Sequence, residues 1–299
     1  MKTLVLSLLV VLLSIPASAQ DVPADYAGIL QSLGRQGDYK DAVLKVNIPR
    51  NDLKVVVDGI ATPTPFGFGG WIAFTKGSGM DVMMGDLVLT EDEVNPVMTA
   101  VLNGGLNVTA VHNHFFFETP RVYYMHVHGH GKAAELANKI KPALDLIGKT
   151  SARASAATPA GRTLDGKLDT AALAKTIGTP GEQTGPVYKI TIGRSDFTMK
   201  EMGATINARM GLNTWAAFYG SDADAVVAGD VAMLAPEITP VLKALRSNGI
   251  DVVAIHHHMT ETNPDVYFLH YWGKGPAQKL ATAVKAAVDH LGSDRAARR

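Results

Sequence analysis

The sequence contains no cysteine, which excludes disulfides, thiolate nucleophiles, Cys-ligated zinc and iron–sulfur clusters. It also lacks net charge, with 28 Lys+Arg against 28 Asp+Glu. A nucleic-acid-binding chain normally carries a basic excess, so no nucleic acid partner is expected. Aromatic residues are scarce at 7% and charged residues make up 19%, yet hydrophobic residues reach 46% of the 299. That is enough to bury a core and too much for a disordered chain. Beyond the N-terminal stretch no run approaches the roughly 18 apolar residues of a membrane helix, so no membrane span is expected in the mature form. Histidine is the residue left to follow, with ten copies.

Residues 1–19 read as a secretory signal peptide. Lys2 gives the basic start, Leu4 to Ile15 the short apolar run, and Ala17-Ser18-Ala19 the small-residue cleavage pattern. Cleavage after Ala19 is expected, which makes the protein exported, periplasmic or secreted.

The remainder is written twice. When Lys45 is laid on Lys189, Arg50 falls on Arg194, Asp52 on Asp196 and Trp71 on Trp215. Gly85-Asp86 then meets Gly229-Asp230, Glu93 meets Glu237, and Pro96 meets Pro240. His112, His114 and His126 meet His256, His258 and His270. This is a tandem duplication of residues 25–148 and 169–292. The joining stretch 149–168, rich in Ser, Ala, Thr, Pro and Gly, reads as a flexible linker.

Each repeat mixes two periodicities. A helical preface (26–33; 170–177) leads to strands at 43–48, after Gly59, at 71–75 and at 81–89. Thr90-Glu-Asp-Glu93 resembles a capping box and opens a helix to about Asn103. Strands at 106–111 and 122–127 and a closing amphipathic helix at 132–147 complete the unit, with matching segments in the second repeat. The expected class is α+β: a doubled β-β-β-α-β-β-α unit with mostly antiparallel sheets, helices packed on them, and pseudo-twofold symmetry.

All of the histidines except His290 lie in two equivalent windows. In a strand, residues two apart face the same side, so His112-x-His114 and His256-x-His258 can each chelate one ion. A hairpin centred on Thr119 would bring His126 opposite His112, and one centred on Asn263 would do the same for His270 and His256. A tighter loop would put Tyr123 there instead. A nearby carboxylate would complete a transition-metal site, and Glu118 and Glu261 are the candidates. The expectation is a zinc or copper site in each repeat, from His112, His114, His126 and Glu118, and from His256, His258, His270 and Glu261, while the sequence leaves open whether the halves build two pockets or share one. His257 should face away, and His128 and His130 are at most additional ligands. Asp86 and Asp230, like the Arg50-x-Asp52 and Arg194-x-Asp196 pairs, read as buried ion pairs or turn formers.

Other motifs are absent or out of context. His112 to Glu118 echoes a cupin metal motif, but cupins are all β and here helices flank the strand pair. No His-Glu-x-x-His or Gly-x-Ser-x-Gly occurs. The glycine run from Phe66 to Trp71 precedes a strand instead of a helix, so it is not a phosphate loop.

The runs Gly85-Asp-Leu-Val-Leu-Thr-Glu-Asp-Glu93-Val-Asn-Pro96, Val108-Thr-Ala-Val-His112-Asn-His114 and Pro120-Arg-Val-Tyr-Tyr-Met-His126 resemble the LppY/LpqO family of exported bacterial proteins. The resemblance spans both repeats. It implies export and a repeated domain, and carries no established activity or catalytic residues. The absence of cysteine leaves nothing for a lipoprotein anchor.

The resulting expectation is an exported protein with histidine-based metal sites and a possible small-molecule or cell-envelope ligand. Two other readings stay open. One is a metal-free carbohydrate- or cell-wall-binding module whose histidines form a structural network at the repeat interface, with Phe115–Phe117 and Trp272 as exposed aromatics. The other is a metal-dependent hydrolase with three protein ligands and one open position.

Overall fold

The computed structural model describes residues 21–149, 160–260 and 262–292. The expected signal peptide and cleavage site, the middle of the linker, and Glu261 fall outside them. In the first half, α1 (Ala24–Leu33), β1 (Gly37–Lys40) and β2 (Val43–Pro49) precede a short arm of β3 (Val55–Val57), β4 (Ile60–Thr62) and a 3-10 turn. There follow β5 (Gly69–Lys76), β6 (Asp81–Thr90), α2 (Glu91–Asn103), β7 (Asn107–His112), β8 (Glu118–Thr119), β9 (Val122–Gly131) and α3 (Ala133–Leu144).

The second half repeats this order without a counterpart of β8 among the described residues. It runs α4 (Thr170–Ile177), β10 (Gly181–Thr184), β11 (Val187–Gly193), the arm β12 (Met199–Glu201) and β13 (Ala204–Ile206), and β14 (Asn213–Gly220). It closes with β15 (Ala225–Met233), α5 (Ala235–Ser247), β16 (Asp251–His256), β17 (Tyr267–Gly275) and α6 (Ala277–Val288). The two main sheets have the orders β1-β2-β5-β6-β9-β7 and β10-β11-β14-β15-β17-β16, antiparallel throughout. The α+β class and the doubled architecture are as expected. β1, β10 and most of each arm are additions that periodicity did not reveal.

Period-two patterning decides what each face meets. In β6, Met83, Leu87 and Leu89 pack under α1–α3, whereas Val82, Met84 and Val88 point to the other half. Both faces are therefore covered, and the strand is apolar on both, as a doubly buried strand must be. The layers run helix, sheet, sheet, helix. Each half also lends its arm to its twin. Val55, Ile60 and Phe66 pack with Val187, Tyr219 and Val226, and Met199, Ala204 and Met210 pack with Val43, Ala73 and Val82. At about 1.5–3 kcal/mol for each large apolar side chain buried, these two interface clusters hold the halves as one body.

The Arg-x-Asp pairs anchor the helices that follow β6 and β15. Buried Arg50 donates to Asp52 and Glu93, and Glu93 also accepts the backbone N–H groups of Thr90 and Gly148. Arg194, Asp196 and Glu237 repeat the arrangement. The described end of the expected linker is docked. Arg162 N–H donates to the Gly59 carbonyl, and Leu164 is buried in the interface.

Candidate functional site

One cross-strand rung in each sheet carries polar groups toward the other half. In the first, Asn47, Trp71, Asp86, His126 and Ala110 are successive partners. In the second, Thr191, Trp215, Asp230, His270 and Ala254 are. Residues two positions along on the same face add Lys45 and His112 to the first half and Lys189 and His256 to the second.

His112 reaches this face through an irregularity. Leu106 and Val108 pack toward the helices, and strict alternation would send His112 after them. The pairing instead steps from Val108 with Val127 to Ala110 with His126. Thr109 is the extra residue of a β-bulge, and it turns Ala110 and His112 to the interface. Its hydroxyl donates to the His258 carbonyl of the other half at 2.7 Å. The same step between Val252 and Ala254 turns His256 inward. The hairpin register places Tyr124 opposite His112 and Phe268 opposite His256. His126 and His270 arrive diagonally, and neither of the two expected hairpin registers describes this pairing.

All six histidines converge at the junction of the halves. His112 and His256 stack with ring centroids 3.7 Å apart, His114 meets His270 at 3.6 Å, and His126 meets His258 at 4.0 Å. These are the pairings a pseudo-twofold axis between His112 and His256 demands. His114 also stacks on Tyr124, and His258 on Phe268, each with centroids at 3.3 Å.

Backbone carbonyls fix three of the rings. His270 Nδ1–H donates to the Gly229 carbonyl and His258 Nδ1–H to the Gly211 carbonyl, both at 3.2 Å. His126 is hydrogen-bonded to the Gly85 backbone, which leaves its buried Nε2 without a partner. The Nε2 atoms of His112 and His270 lie 3.1 Å apart. His112 Nδ1 and both ring nitrogens of His114 and His256 are also buried without partners.

Burial first, and then the neighbouring imidazoles, hold His112, His114 and His270 well below the ordinary histidine range. His126 is held there by burial and by His258. Burial takes His256 down to about 2 and His258 to about 3. The rings are therefore neutral at pH 7, and each keeps one lone pair.

Three triads place one ligand nitrogen per residue within 4.8 Å of one another: His112, His114 and His270; His112, His126 and His256; and His256, His258 and His270. The expected second-repeat trio is one of them, whereas the other two draw on both halves. The arrangement is thus a single cluster to which both halves contribute. The duplicated strands face each other across the axis, so the two half-sites cannot stay apart.

Glu118 belongs to no triad. One of its oxygens accepts from Asn113 and from the Val122 N–H, and burial raises it to about 7. Glu261 lies outside the described residues. His128 pairs with Glu201 of the other half, His130 is exposed, and His257 lies against Tyr267. Phe115 and Trp272 are buried in the interface core, so of the aromatics expected at the surface only Phe116 and Phe117 are exposed.

Two carboxyl groups stand beside the rings. Asp86 Oδ1 is 4.0 Å from His126 Nε2, and Asp230 Oδ2 is 3.4 Å from His258 Nε2. Burial, then Asp230, raises Asp86 far above the carboxylate range, and burial lifts Asp230 to about 7. Both sit within strands, so neither forms a turn, and each pairs with a histidine of the cluster. A cavity of about 380 Å³ opens next to them, lined by His114, His258 and His270 on one side and Lys45, Lys189 and Trp215 on another. The signal for these residues was present in the sequence: Lys, Trp and Gly-Asp recur at matching positions in both repeats.

Glycine at 229 is required by packing. A Cβ there would lie 2.2 Å from the Trp215 carbonyl and from the Tyr271 hydroxyl. At the twin position Gly85, a Cβ would lie 2.7 Å from an Ile72 methyl and 2.9 Å from both the Trp71 carbonyl and a Val127 methyl, tight but less so than at Gly229. Gly229→Ala is expected to destabilise by about 3 kcal/mol or more, and Gly85→Ala by about 1–2 kcal/mol, as overpacking does. Equilibrium urea unfolding would read the difference, and equal effects would refute it.

Sequence and structure comparisons bring no activity. The family described as Domain of Unknown Function (DUF1259) matches residues 27–146 and again 171–290. No protein with a curated description matches. EtuB from Clostridium kluyveri aligns at 9% identity over 86% of this chain and 92% of its own, with a TM-score of 0.21. The trimeric bacterial microcompartment shell protein PduB aligns at 13% over 86% and 89%, with a TM-score of 0.20. At such scores neither likeness carries an argument. Among the described residues, no helix is long and apolar enough to cross a membrane.

Proposed function

We propose, for a chain that belongs to the family described as Domain of Unknown Function (DUF1259), that its two halves jointly hold one transition-metal ion through the shared histidine cluster. The supporting observation is the set of buried, partnerless ring nitrogens at the junction of the halves. Leaving such groups unsatisfied is costly, and a cation relieves several at once. The spacing suits an ion as well. Imidazole nitrogens around a tetrahedral zinc stand about 3.3 Å apart, given metal–nitrogen distances of about 2.0–2.1 Å, against 3.1 Å between His112 and His270. Imidazole donors select zinc or copper. The carbonyl bonds to Nδ1 of His258 and His270 orient those rings as hydrogen-bond partners of metal-bound histidines do.

Any two of the three triads share a histidine. A neutral imidazole gives one lone pair, so only one triad can be filled at a time. Protein purified without a His tag is therefore expected to bind about one equivalent of zinc or copper per chain by elemental analysis. Two equivalents would restore a site per repeat. None, at any pH above 6.5, would favour the structural histidine network.

Export to the periplasm or beyond is part of this proposal. It is supported by the signal-peptide pattern at residues 1–19 and by the resemblance to the LppY/LpqO family. A hydrolytic role is favoured by one observation: His114, His258 and His270 also line the cavity, which leaves one side of the cluster accessible.

A further inference from the structure

The cavity beside the histidines is walled by two copies of one device. Lys45 Nζ sits 4.4 Å above the Trp71 ring, and Lys189 Nζ sits 4.1 Å above the Trp215 ring. An indole face holds an ammonium in place and satisfies none of its N–H donors. Among the described residues, no protein acceptor lies within hydrogen-bond distance of either ammonium, and no carboxylate lies within 4.0 Å. Asp86 and Asp230 line the same cavity and act on the lysines from farther away.

Burial pushes both lysines down to about 8, and for Lys45 the charge of Lys189 adds to the effect. They remain mostly charged at pH 7, close enough to repel, and both line a cavity of about 380 Å³. Gly67, Gly69, Gly70 and Gly211 contribute backbone to its wall.

We propose that this cavity binds a small anion, carboxylate or phosphate in character, whose oxygens are clasped between Lys45 and Lys189 at the edge of the histidine cluster. An oxyanion there accepts from both ammoniums, cancels their repulsion and lies beside the rings that line the cavity. The inference names the ligand class for the site proposed above, yet the lysines and indoles belong to none of the metal triads, so the two claims can fail separately.

The test is a calorimetric titration of chelator-treated full-length protein with inorganic phosphate and, separately, with malonate, followed in parallel by tryptophan fluorescence. At least one probe should bind near one equivalent. The affinity should fall about tenfold in Lys45→Met or Lys189→Met and about a hundredfold in the double variant, as loss of charge-assisted hydrogen bonds implies. Lys279→Met, on the exposed face of α6, should change nothing. The tighter probe identifies the source, phosphate or carboxylate. Binding of neither probe, or unchanged binding in the double variant, overturns the proposal. Zinc uptake measured on the same lysine variants should stay at the wild-type level. If the double variant does not fold, the single Lys→Gln variants carry the same decision.

Discussion

Metal-free protein brought from pH 7.5 to pH 5.5 should lose a large share of its stability. All six clustered histidines are held below their ordinary range in the folded chain. Between the unfolded value near 6.5 and the depressed folded values, the unfolded chain therefore binds protons that the native chain refuses. A depressed histidine contributes stability that is present above pH 6.5 and lost as pH falls. Asp86, Asp230 and Glu118 oppose this, because their raised folded values mean that the native chain keeps protons the unfolded chain releases. Their contribution grows as pH falls toward the ordinary carboxylate range. Six groups stand against three. At about 1.4 kcal/mol per proton and pH unit, the net of three amounts to roughly 4 kcal/mol per pH unit once the unfolded histidines are charged. Typical domains have only about 5–15 kcal/mol in total. Denaturant midpoints measured at pH 7.5, 6.5 and 5.5 should fall steeply, and bound zinc should move the fall to lower pH. A flat profile would mean that the folded cluster accepts protons freely and is not held neutral by burial.

Much of this was legible in the sequence because duplication doubles every signal. The matching of His112, His114 and His126 with His256, His258 and His270 identified the six clustered residues, and the pattern of apolar positions gave the α+β layers. Two physical facts were not legible. A β-bulge leaves no clear mark in composition, so nothing showed that Thr109 and Val253 would turn the following histidines to the other face. Nor does a sequence say that the two copies pack face to face, which brings the two histidine sets into one cluster. The carboxylates were assigned by proximity in sequence, which favoured Glu118. The sheet brings Asp86 and Asp230 instead, from strands distant along the chain. One substitution pair shows how the halves have diverged while keeping their contacts. Val57 packs in one cluster with Trp272, and at the matching positions Glu201 pairs with His128. An apolar contact on one side of the axis is a polar one on the other.

Replacing two histidines should abolish metal binding or spare it depending on which two are chosen. His112, His256 and His270 each belong to two triads, whereas His114, His126 and His258 each belong to one. His112→Asn with His256→Asn breaks all three triads, and affinity should fall on the order of a thousandfold. That exceeds the 10–100-fold typical of losing only an outer hydrogen-bond partner of a ligand. His114→Asn with His258→Asn leaves His112, His126 and His256 intact and should retain about one equivalent, with affinity within roughly tenfold of wild type. A pair of separate sites predicts the opposite symmetry: each double variant would damage both sites alike, and the two would be indistinguishable. Competition with a chromophoric zinc chelator measures both constants, and circular dichroism confirms that each variant is folded. Equal losses in the two variants would sink the shared centre. Retention in His112→Asn/His256→Asn would place the ion elsewhere. The stacked pair on the pseudo-twofold axis is therefore the decisive position, because no triad among the described residues forms without His112 or His256.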